Sequence, residues 1–131
     1  MNLLLDTNAY AELLSRGKWL GAIRNSDRVL LPLPALAELR FGFIKGSRAT
    51  ENETTLRKFL ARPSASVLLP DAETTHHYSS LKLQLTRQGT PVPINDLWIA
   101  SLAIQHSLWL CTSDAHFDHI PQLLRASPDD S

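Results

Sequence analysis

Four acidic residues are candidates for one shared catalytic cluster: Asp6, Glu38, Asp96 and Asp114. Asp6 directly follows the apolar run 3–5, which is typical of a strand buried on both faces. Carboxylates that converge repel one another, so a cluster of them calls for a cation between them. Oxygen ligands without accompanying cysteine favour Mg²⁺ or Mn²⁺ over zinc. Such ions bind phosphate oxygens and activate water, and the chemistry suggested is therefore phosphodiester hydrolysis.

The elements that must position these acids alternate along the chain. Short apolar runs predict strands at residues 3–5, 28–32, 66–70 and 109–112, with a last strand near 123–126. Longer amphipathic segments predict helices after Asp6, over 18–25, from Pro34 to just before Gly46, and over 48–60, 72–88 and 96 to about 106. This alternation predicts a three-layer α/β/α sandwich with a mostly parallel central sheet. We expect one domain over residues 1–126 and a flexible tail over 127–131.

Residues that can cap helices stand in front of three of these segments. Thr7 and Asn8 are expected to cap the first helix, Asp71 the helix over 72–88, and Asn95 the last one. Gly89 is typical of the position just past a helix end.

The predicted topology brings the four acids to one edge of the sheet. In right-handed crossovers the helices run antiparallel to the strands, so helix starts and strand ends share an edge. Asp6 and Asp114 lie just beyond the first and fourth strands. Asp96 lies in the first turn of the helix before the fourth strand, and Glu38 about one turn into the helix after the second. We therefore expect these side chains to converge.

Composition indicates a soluble globular protein. The 131 residues are 44% hydrophobic and 20% charged, with 13 basic and 13 acidic residues, so overall charge gives no indication of nucleic-acid binding. Cys111 is the single cysteine, which excludes an internal disulfide or a multi-cysteine zinc site and favours a role as core filler. No apolar segment is long enough to span a bilayer, and we expect a cytoplasmic protein.

Four segments of the chain together resemble the PIN domain, specifically that of VapC-type toxin nucleases. They are LLDTN at 4–8, ELRFG at 38–42, NDLWIA at 95–100 and TSDAHF at 112–117. The similarity extends from Leu3 to about Pro121 and includes the loop 89–93. The resemblance implies a Mg²⁺- or Mn²⁺-dependent endoribonuclease, the toxin of a type II toxin-antitoxin pair. It also implies inhibition by a VapB-type antitoxin encoded beside it, and a homodimer.

The resemblance also implies roles for individual residues. The family's acidic quartet matches Asp6, Glu38, Asp96 and Asp114. Thr7 or Thr112 would support the quartet by hydrogen bonds, with Asn8 as a further supporting candidate, and Asp118 falls where related sequences often carry another acid. By analogy, the RNA target is a structured tRNA in the first hypothesis and ribosomal RNA in the second.

A hypothesis for mechanism follows from these assignments. Asp6, Asp96 and Asp114 would hold one divalent ion, while Glu38 completes its shell or orients the attacking water, with Asp118 as a further candidate ligand. Candidates for contacts to RNA phosphates are Arg40, Lys45, Arg48 and Arg87, although an ordinary solvated helix face explains these four equally well.

Other interpretations remain open on sequence alone. Asp6 could be only a helix cap, Asp96 could serve only the helix dipole, and Asp114 could be only a turn former. The mixed His/Asp run 114–119 could hold a transition metal, although it matches no closed zinc pattern. A catalytically silent interaction module with the same fold is one functional alternative. A haloacid-dehalogenase-type phosphatase is another, but it needs a second aspartate where this chain has Asn8.

Overall fold

The computed structural model describes residues 1–128 and places a five-stranded sheet at their centre. The strands are β1 (Asn2–Leu5), β2 (Arg28–Pro32), β3 (Ala65–Leu68), β4 (Trp109–Cys111) and β5 (Leu124–Arg125). Their order across the sheet is β3-β2-β1-β4-β5, and each neighbouring pair is parallel. The predicted α/β fold with a mostly parallel sheet is confirmed. Of the tail predicted over 127–131, residues 129–131 lie outside the described residues.

Helices cover the sheet on both faces. They are α1 (Thr7–Arg16), α2 (Leu20–Arg24), α3 (Leu33–Lys45), α4 (Ala49–Leu60), α5 (Thr74–Gln88) and α6 (Ile94–Gln105), and a 3-10 turn spans Ala115–His119. Successive side chains of a strand point to opposite faces, yet Leu3, Leu4 and Leu5 are all fully buried. Both faces of the central strand are therefore packed. Within residues 1–128, no helix combines the length and apolar character that a bilayer crossing requires.

Buried leucines hold the central strands in register. Leu4 of β1 is aligned with Leu30 of β2 and Leu110 of β4. Burying one such side chain contributes about 1.5–3 kcal/mol, and a shift of one residue would turn these side chains to the opposite face. Leu5 is aligned with Cys111, which is fully buried as predicted. The carboxyl ends of β1 and β4 are consequently level with each other.

The start of α1 differs from the sequence prediction. Asp6 is itself the N-cap, and its Oδ1 accepts a hydrogen bond from the Ala9 amide at 2.7 Å. The predicted caps Thr7 and Asn8 are wrong, because both lie inside the first turn. The reason is that the strand continues through Asp6, whose extended backbone (φ −78°, ψ 177°) is the conformation that an N-cap adopts.

The start of α6 also differs from the prediction. This helix begins at Ile94, with Pro93 in the cap position, so the predicted cap Asn95 is wrong. The ring of Pro93 fixes its φ at −56°, and its carbonyl accepts a hydrogen bond from the Leu97 amide at 3.0 Å. Asp96 remains in the first turn of the helix, as predicted.

The C-terminal end of α5 agrees with the prediction, but the helix starts at Thr74 and not at residue 72, so Glu73 and not Asp71 occupies the N-cap position. Asp71 Oδ1 accepts a hydrogen bond from the Thr74 amide at 3.0 Å, and the intervening residues form a turn. Gly89 ends the helix in the left-handed region, with φ 73°. The chain then reverses towards α6.

Replacing Gly89 by Ala should lower the free energy of unfolding by about 1 kcal/mol, because its left-handed backbone strains any residue with a Cβ. No heavy atom lies within 4 Å of the added Cβ, so the backbone alone causes this loss. The matched control is Gly42→Ala inside α3, where the space is equally open and φ is ordinary. There we expect a gain of up to about 1 kcal/mol. Urea unfolding measures both, and a loss of equal size in the two variants would contradict this account.

Candidate active site

The ends of β1 and β4 deliver the first residues of the site. Beyond the paired residues Leu5 and Cys111, the Asp6 amide donates a hydrogen bond to the Cys111 carbonyl at 3.3 Å. This contact extends the parallel pairing by one residue and sets Asp6 beside Thr112. Asp114 follows two residues later and caps the 3-10 turn, with its Oδ1 accepting from the His116 amide at 2.9 Å.

Asp6 is fixed at the base of the site by contacts to both of its oxygens. Its side chain carries the helix-capping bond from Ala9 on Oδ1, and Thr112 Oγ1 donates a short hydrogen bond to Oδ2. The same hydroxyl oxygen accepts from the Asp114 amide at 3.0 Å. Asp6 is only 4% exposed. Thr112 therefore links the buried acid of β1 to the loop that carries Asp114.

Glu38 reaches the site from α3. Thr7 Oγ1 donates a hydrogen bond to Glu38 Oε1 at 2.8 Å, so the first turn of α1 orients this carboxylate. Glu38 is exposed, and it lines an open cleft of about 380 Å³ together with Asp96, Asp114 and His116. The predicted convergence of the four acids is thus found: three line the cleft, and Asp6 lies close enough to interact electrostatically with Asp114 and Asp96.

Burial and mutual repulsion make the charged form of Asp6 unfavourable. Loss of solvent raises the pKa of Asp6 from 3.8 to about 6, and the charges of Asp114 and Asp96 act in the same direction. The hydrogen bonds from Thr112 and Ala9 oppose that rise. Without a cation, the negative charge of the site therefore lowers the stability of the folded protein.

Asp96 is subject to the same two effects to a smaller degree. Burial raises the pKa of Asp96 above its ordinary value, and the charges of Asp114 and Glu38 add to the rise. The hydrogen bond and charge of His116 lower it in return. The imidazole is therefore part of the electrostatic balance of the site.

His116 is the functional candidate that the sequence reasoning did not connect to the quartet. Its Nδ1 lies 3.0 Å from Asp96 Oδ2 and 3.1 Å from Asp114 Oδ1. From the sequence, the run 114–119 is only a candidate for a separate transition-metal site. The 3-10 turn makes this contact possible, because it brings the side chain of His116 against Asp96 of α6.

Ser113 adds a second connection that the sequence did not indicate. Ser113 Oγ donates a hydrogen bond to Glu12 Oε1 of α1 at 3.1 Å, and Lys18 Nζ lies 2.5 Å from the same hydroxyl. Lys18 also forms a salt bridge with Glu12 at 3.4 Å. These contacts tie the loop before Asp114 to α1. Asn8 is exposed and lines a neighbouring cleft on this side, together with Glu12 and Ser113.

Asp118 lies away from the cleft. Arg125 Nη1 donates a hydrogen bond to Asp118 Oδ1 at 3.0 Å, and the acid is 64% exposed. Asp118 is not among the residues that line the cleft with Asp96 and Asp114.

The basic residues considered for RNA contacts are mostly engaged within the protein. Arg40 forms two hydrogen bonds of 3.0 Å with Glu53, and Arg48 pairs with Glu51. The remaining two are Lys45, whose ammonium lies 4.8 Å from the centre of the Phe41 ring, and Arg87, which is exposed on α5.

The donor groups of the site fit a small divalent cation. Asp96, Asp114 and His116 each offer one ligand atom, and these three atoms lie within 4.8 Å of one another. Glu38 faces the same cleft, and Asp6 contributes negative charge from below. Such a set supplies mainly hard oxygen donors, together with enough charge to offset the dehydration of the ion.

Replacing Asp6 by Asn should remove the pH dependence of stability that this residue causes, because it removes the buried titratable carboxyl. The amide keeps the helix-capping bond from Ala9 through its oxygen, but its nitrogen cannot accept the bond that Thr112 donates to Oδ2, so part of the gain from removing the buried charge is lost. A pKa raised from 3.8 to about 6 means that the folded state binds the proton more tightly than the unfolded state does. Asp6 therefore contributes most to the free energy of unfolding below about pH 4, and this contribution is lost as pH rises through about 6. Denaturant unfolding in a chelating buffer measures the free energy of unfolding at each pH. The part of its fall with rising pH that Asp6 causes should be present in the parent chain and absent from the variant.

The matched control for this prediction is Glu73→Gln, which changes an exposed acid at the start of α5. We expect its free energy of unfolding to follow that of the parent chain within about 0.5 kcal/mol at every pH. A parent chain that becomes more stable between pH 4 and 6 on account of Asp6 would refute the assignment.

Comparisons with known proteins agree with this geometry. Residues 3–123 match the PIN domain family. The chain is 32% identical to Ribonuclease VapC1 of Haemophilus influenzae, with 92% of each chain covered. It is 30% identical to Ribonuclease VapC5 of Mycobacterium tuberculosis, covering 87% of this chain and 84% of the relative.

Among solved structures, a similar one is that of VapBC2 from Rickettsia felis bound to a DNA fragment from its promoter. The TM-score is 0.85 at 26% sequence identity, with 96% of this chain and 98% of the other covered. The family match over residues 3–123 includes all four acids and ends just before β5. This chain belongs to the PIN domain family.

Proposed function

We propose that this chain is a divalent-metal-dependent endoribonuclease and the toxin of a type II toxin-antitoxin pair. The observation that carries the proposal is the convergence of Asp6, Glu38, Asp96 and Asp114 from separate elements at one edge of the sheet. Clustering of acids lowers stability, so its presence favours a functional reason for it. The relatives named as ribonucleases support RNA as the substrate class.

The four acids would have two roles, binding the ion and accepting a proton. Asp6, Asp96 and Asp114 would hold one Mg²⁺ or Mn²⁺, and Glu38 would complete the shell or accept a proton from the attacking water. When bound, the ion would lower the pKa of a water molecule and offset the charge that develops on the phosphate. A structured tRNA is the first candidate target and ribosomal RNA the second. Mapping RNA ends in cells that express the intact chain or an Asp6→Asn variant would identify it.

Two threonines would keep the carboxylates oriented. Thr112 donates to Asp6 and accepts from the Asp114 amide, so it sets the spacing between these two acids. Thr7 donates a hydrogen bond to Glu38 Oε1 and does not engage Oε2, the second oxygen of this carboxylate. Both threonines act through the acids and are positioning residues.

An antitoxin of the VapB type is the proposed partner. An apolar groove of about 530 Å³ lies between α3 and α4 and is lined in part by Phe43, Ile44 and Ala49. Ile44 is 75% exposed and Phe41, on the same helix, is 61% exposed, so this part of α3 offers apolar surface to a partner. Glu38 and Ile44 share α3 and are six residues apart, or about 9 Å along the helix. A helix in this groove could extend a basic residue to the acids. The similar solved structures are named as VapBC complexes, which supports a VapB-type partner.

RNA cleavage by the purified chain should require Mg²⁺ or Mn²⁺ and stop when the ion is chelated. Glu38→Gln should reduce the cleavage rate by about a hundred-fold or more, because the amide cannot accept a proton. Asp96→Asn should abolish both cleavage and calorimetric Mn²⁺ binding. Glu73→Gln, the exposed acid used above as a control, should retain full activity.

Two results would overturn parts of this proposal. Cleavage that continues in a chelator would exclude the metal-dependent mechanism. Carboxylate-dependent Mn²⁺ binding without cleavage of any RNA would instead identify a silent module that keeps the fold.

Ile44→Asp should weaken binding of the antitoxin encoded by the neighbouring gene by about ten-fold or more, because it places a charge in the apolar groove. RNA cleavage by the free chain should be unchanged. Leu83→Asp is the control, since Leu83 is also exposed, at 50%, but lies on α5. Calorimetry with the purified antitoxin measures both, and equal weakening by the two variants would argue against this groove.

A further inference from the structure

The imidazole of His116 lies between two of the candidate metal-binding acids, Asp96 and Asp114. Its Nδ1 contacts one carboxylate oxygen from α6 and one from the loop after β4, at 3.0 and 3.1 Å. The backbone amide of the same residue donates to Asp114 Oδ1, so the 3-10 turn fixes the imidazole relative to that acid. The side chain is 48% exposed, which shows that core packing does not explain its position.

The spacing of the donor atoms matches the edge of a coordination polyhedron. Adjacent ligands in an octahedron with bonds of about 2.1 Å are about 3.0 Å apart. The contacts of Nδ1 in the metal-free chain, a hydrogen bond to Asp96 and a close polar contact to Asp114, have this same length, so an ion could take the place of the proton between them without moving the donors apart. The three ligand atoms also lie within 4.8 Å of one another, so one small ion could contact all of them.

We propose that His116 is a nitrogen ligand that biases this site towards Mn²⁺ and later transition ions over Mg²⁺. Imidazole is a good ligand for first-row transition ions, whereas Mg²⁺ strongly prefers oxygen. In the metal-free chain Nδ1–H donates to the Asp96 carboxylate, and coordination requires the other neutral tautomer, with the proton on Nε2, so that the Nδ1 lone pair faces the ion. The inference rests on the proposed function, in which the same acids bind a divalent ion. It adds that the His116 nitrogen changes which ion binds more tightly.

Calorimetric titration of the purified chain with Mn²⁺ and with Mg²⁺ tests the bias directly. In His116→Gln the dissociation constant for Mn²⁺ should rise about ten-fold or more, while that for Mg²⁺ should change by less than about two-fold. The titration is done above about pH 7.5, where free imidazole is neutral. The matched control is His119→Gln, which makes the same change at an exposed histidine of the same 3-10 turn and should alter neither constant.

Pulsed electron paramagnetic resonance of the Mn²⁺-loaded chain supplies a readout that is independent of activity. The intact chain and His119→Gln should show coupling of Mn²⁺ to a directly bound nitrogen, and His116→Gln should not. Labelling histidine with ¹⁵N in the intact chain should change this coupling to that of the heavier isotope. The labelling experiment keeps the test valid if the His116 variant fails to fold.

The outcomes separate this inference from the proposed function. An intact chain that binds Mn²⁺ without nitrogen coupling, or a His116 variant that weakens both ions equally, would overturn the role of His116 and leave the acidic site standing. An intact chain that binds neither ion would overturn the proposed metal site itself, and the inference with it.

Discussion

The short hydrogen bond between Thr112 and the buried carboxylate of Asp6 is the contact on which the rest of the site depends. It joins the ends of β1 and β4 through side chains, directly beside the last backbone bond between them, from the Asp6 amide to the Cys111 carbonyl. The same threonine oxygen then accepts from the amide of Asp114, so one hydroxyl positions two acids. Because burial disfavours charge at Asp6, this bond also holds a charged group that would otherwise be expelled or neutralised. Thr112 therefore affects both the spacing of Asp6 and Asp114 and the charge of Asp6.

Much of this arrangement could be predicted from the sequence, for reasons that are local. The run 3–5 is apolar without alternation, and β1 is the central strand with both faces covered. Pro34 and Gly46 mark the ends of α3, which carries Glu38 at the expected depth in the helix. The convergence of the acids follows from strand direction and crossover handedness, and neither depends on details of side-chain packing.

What could not be predicted depends on distances between residues far apart in sequence. Asp6 serves as both helix cap and cluster member, whereas the sequence offered these two roles as alternatives and placed the expected caps at Thr7 and Asn8. The contact of His116 with Asp96 spans 20 residues and requires the 3-10 turn and the first turn of α6 to face each other. Arg40 and Arg48 have phosphate-binding chemistry, but nearby glutamates on α4 pair with both. Sequence alone does not indicate which of several acids a flexible arginine will reach.

The position of β1 has a consequence for the chain during its synthesis. The first strand of the sequence pairs with β4, so Leu3 must wait for Trp109 before the centre of the sheet can close. Contacts between such distant segments form late, after the entropy of closing a long loop has been overcome. A nascent chain still missing β4 also lacks Asp114, so it cannot assemble the acidic cluster. The topology thus delays assembly of the cluster until β4 and the loop after it have been synthesised.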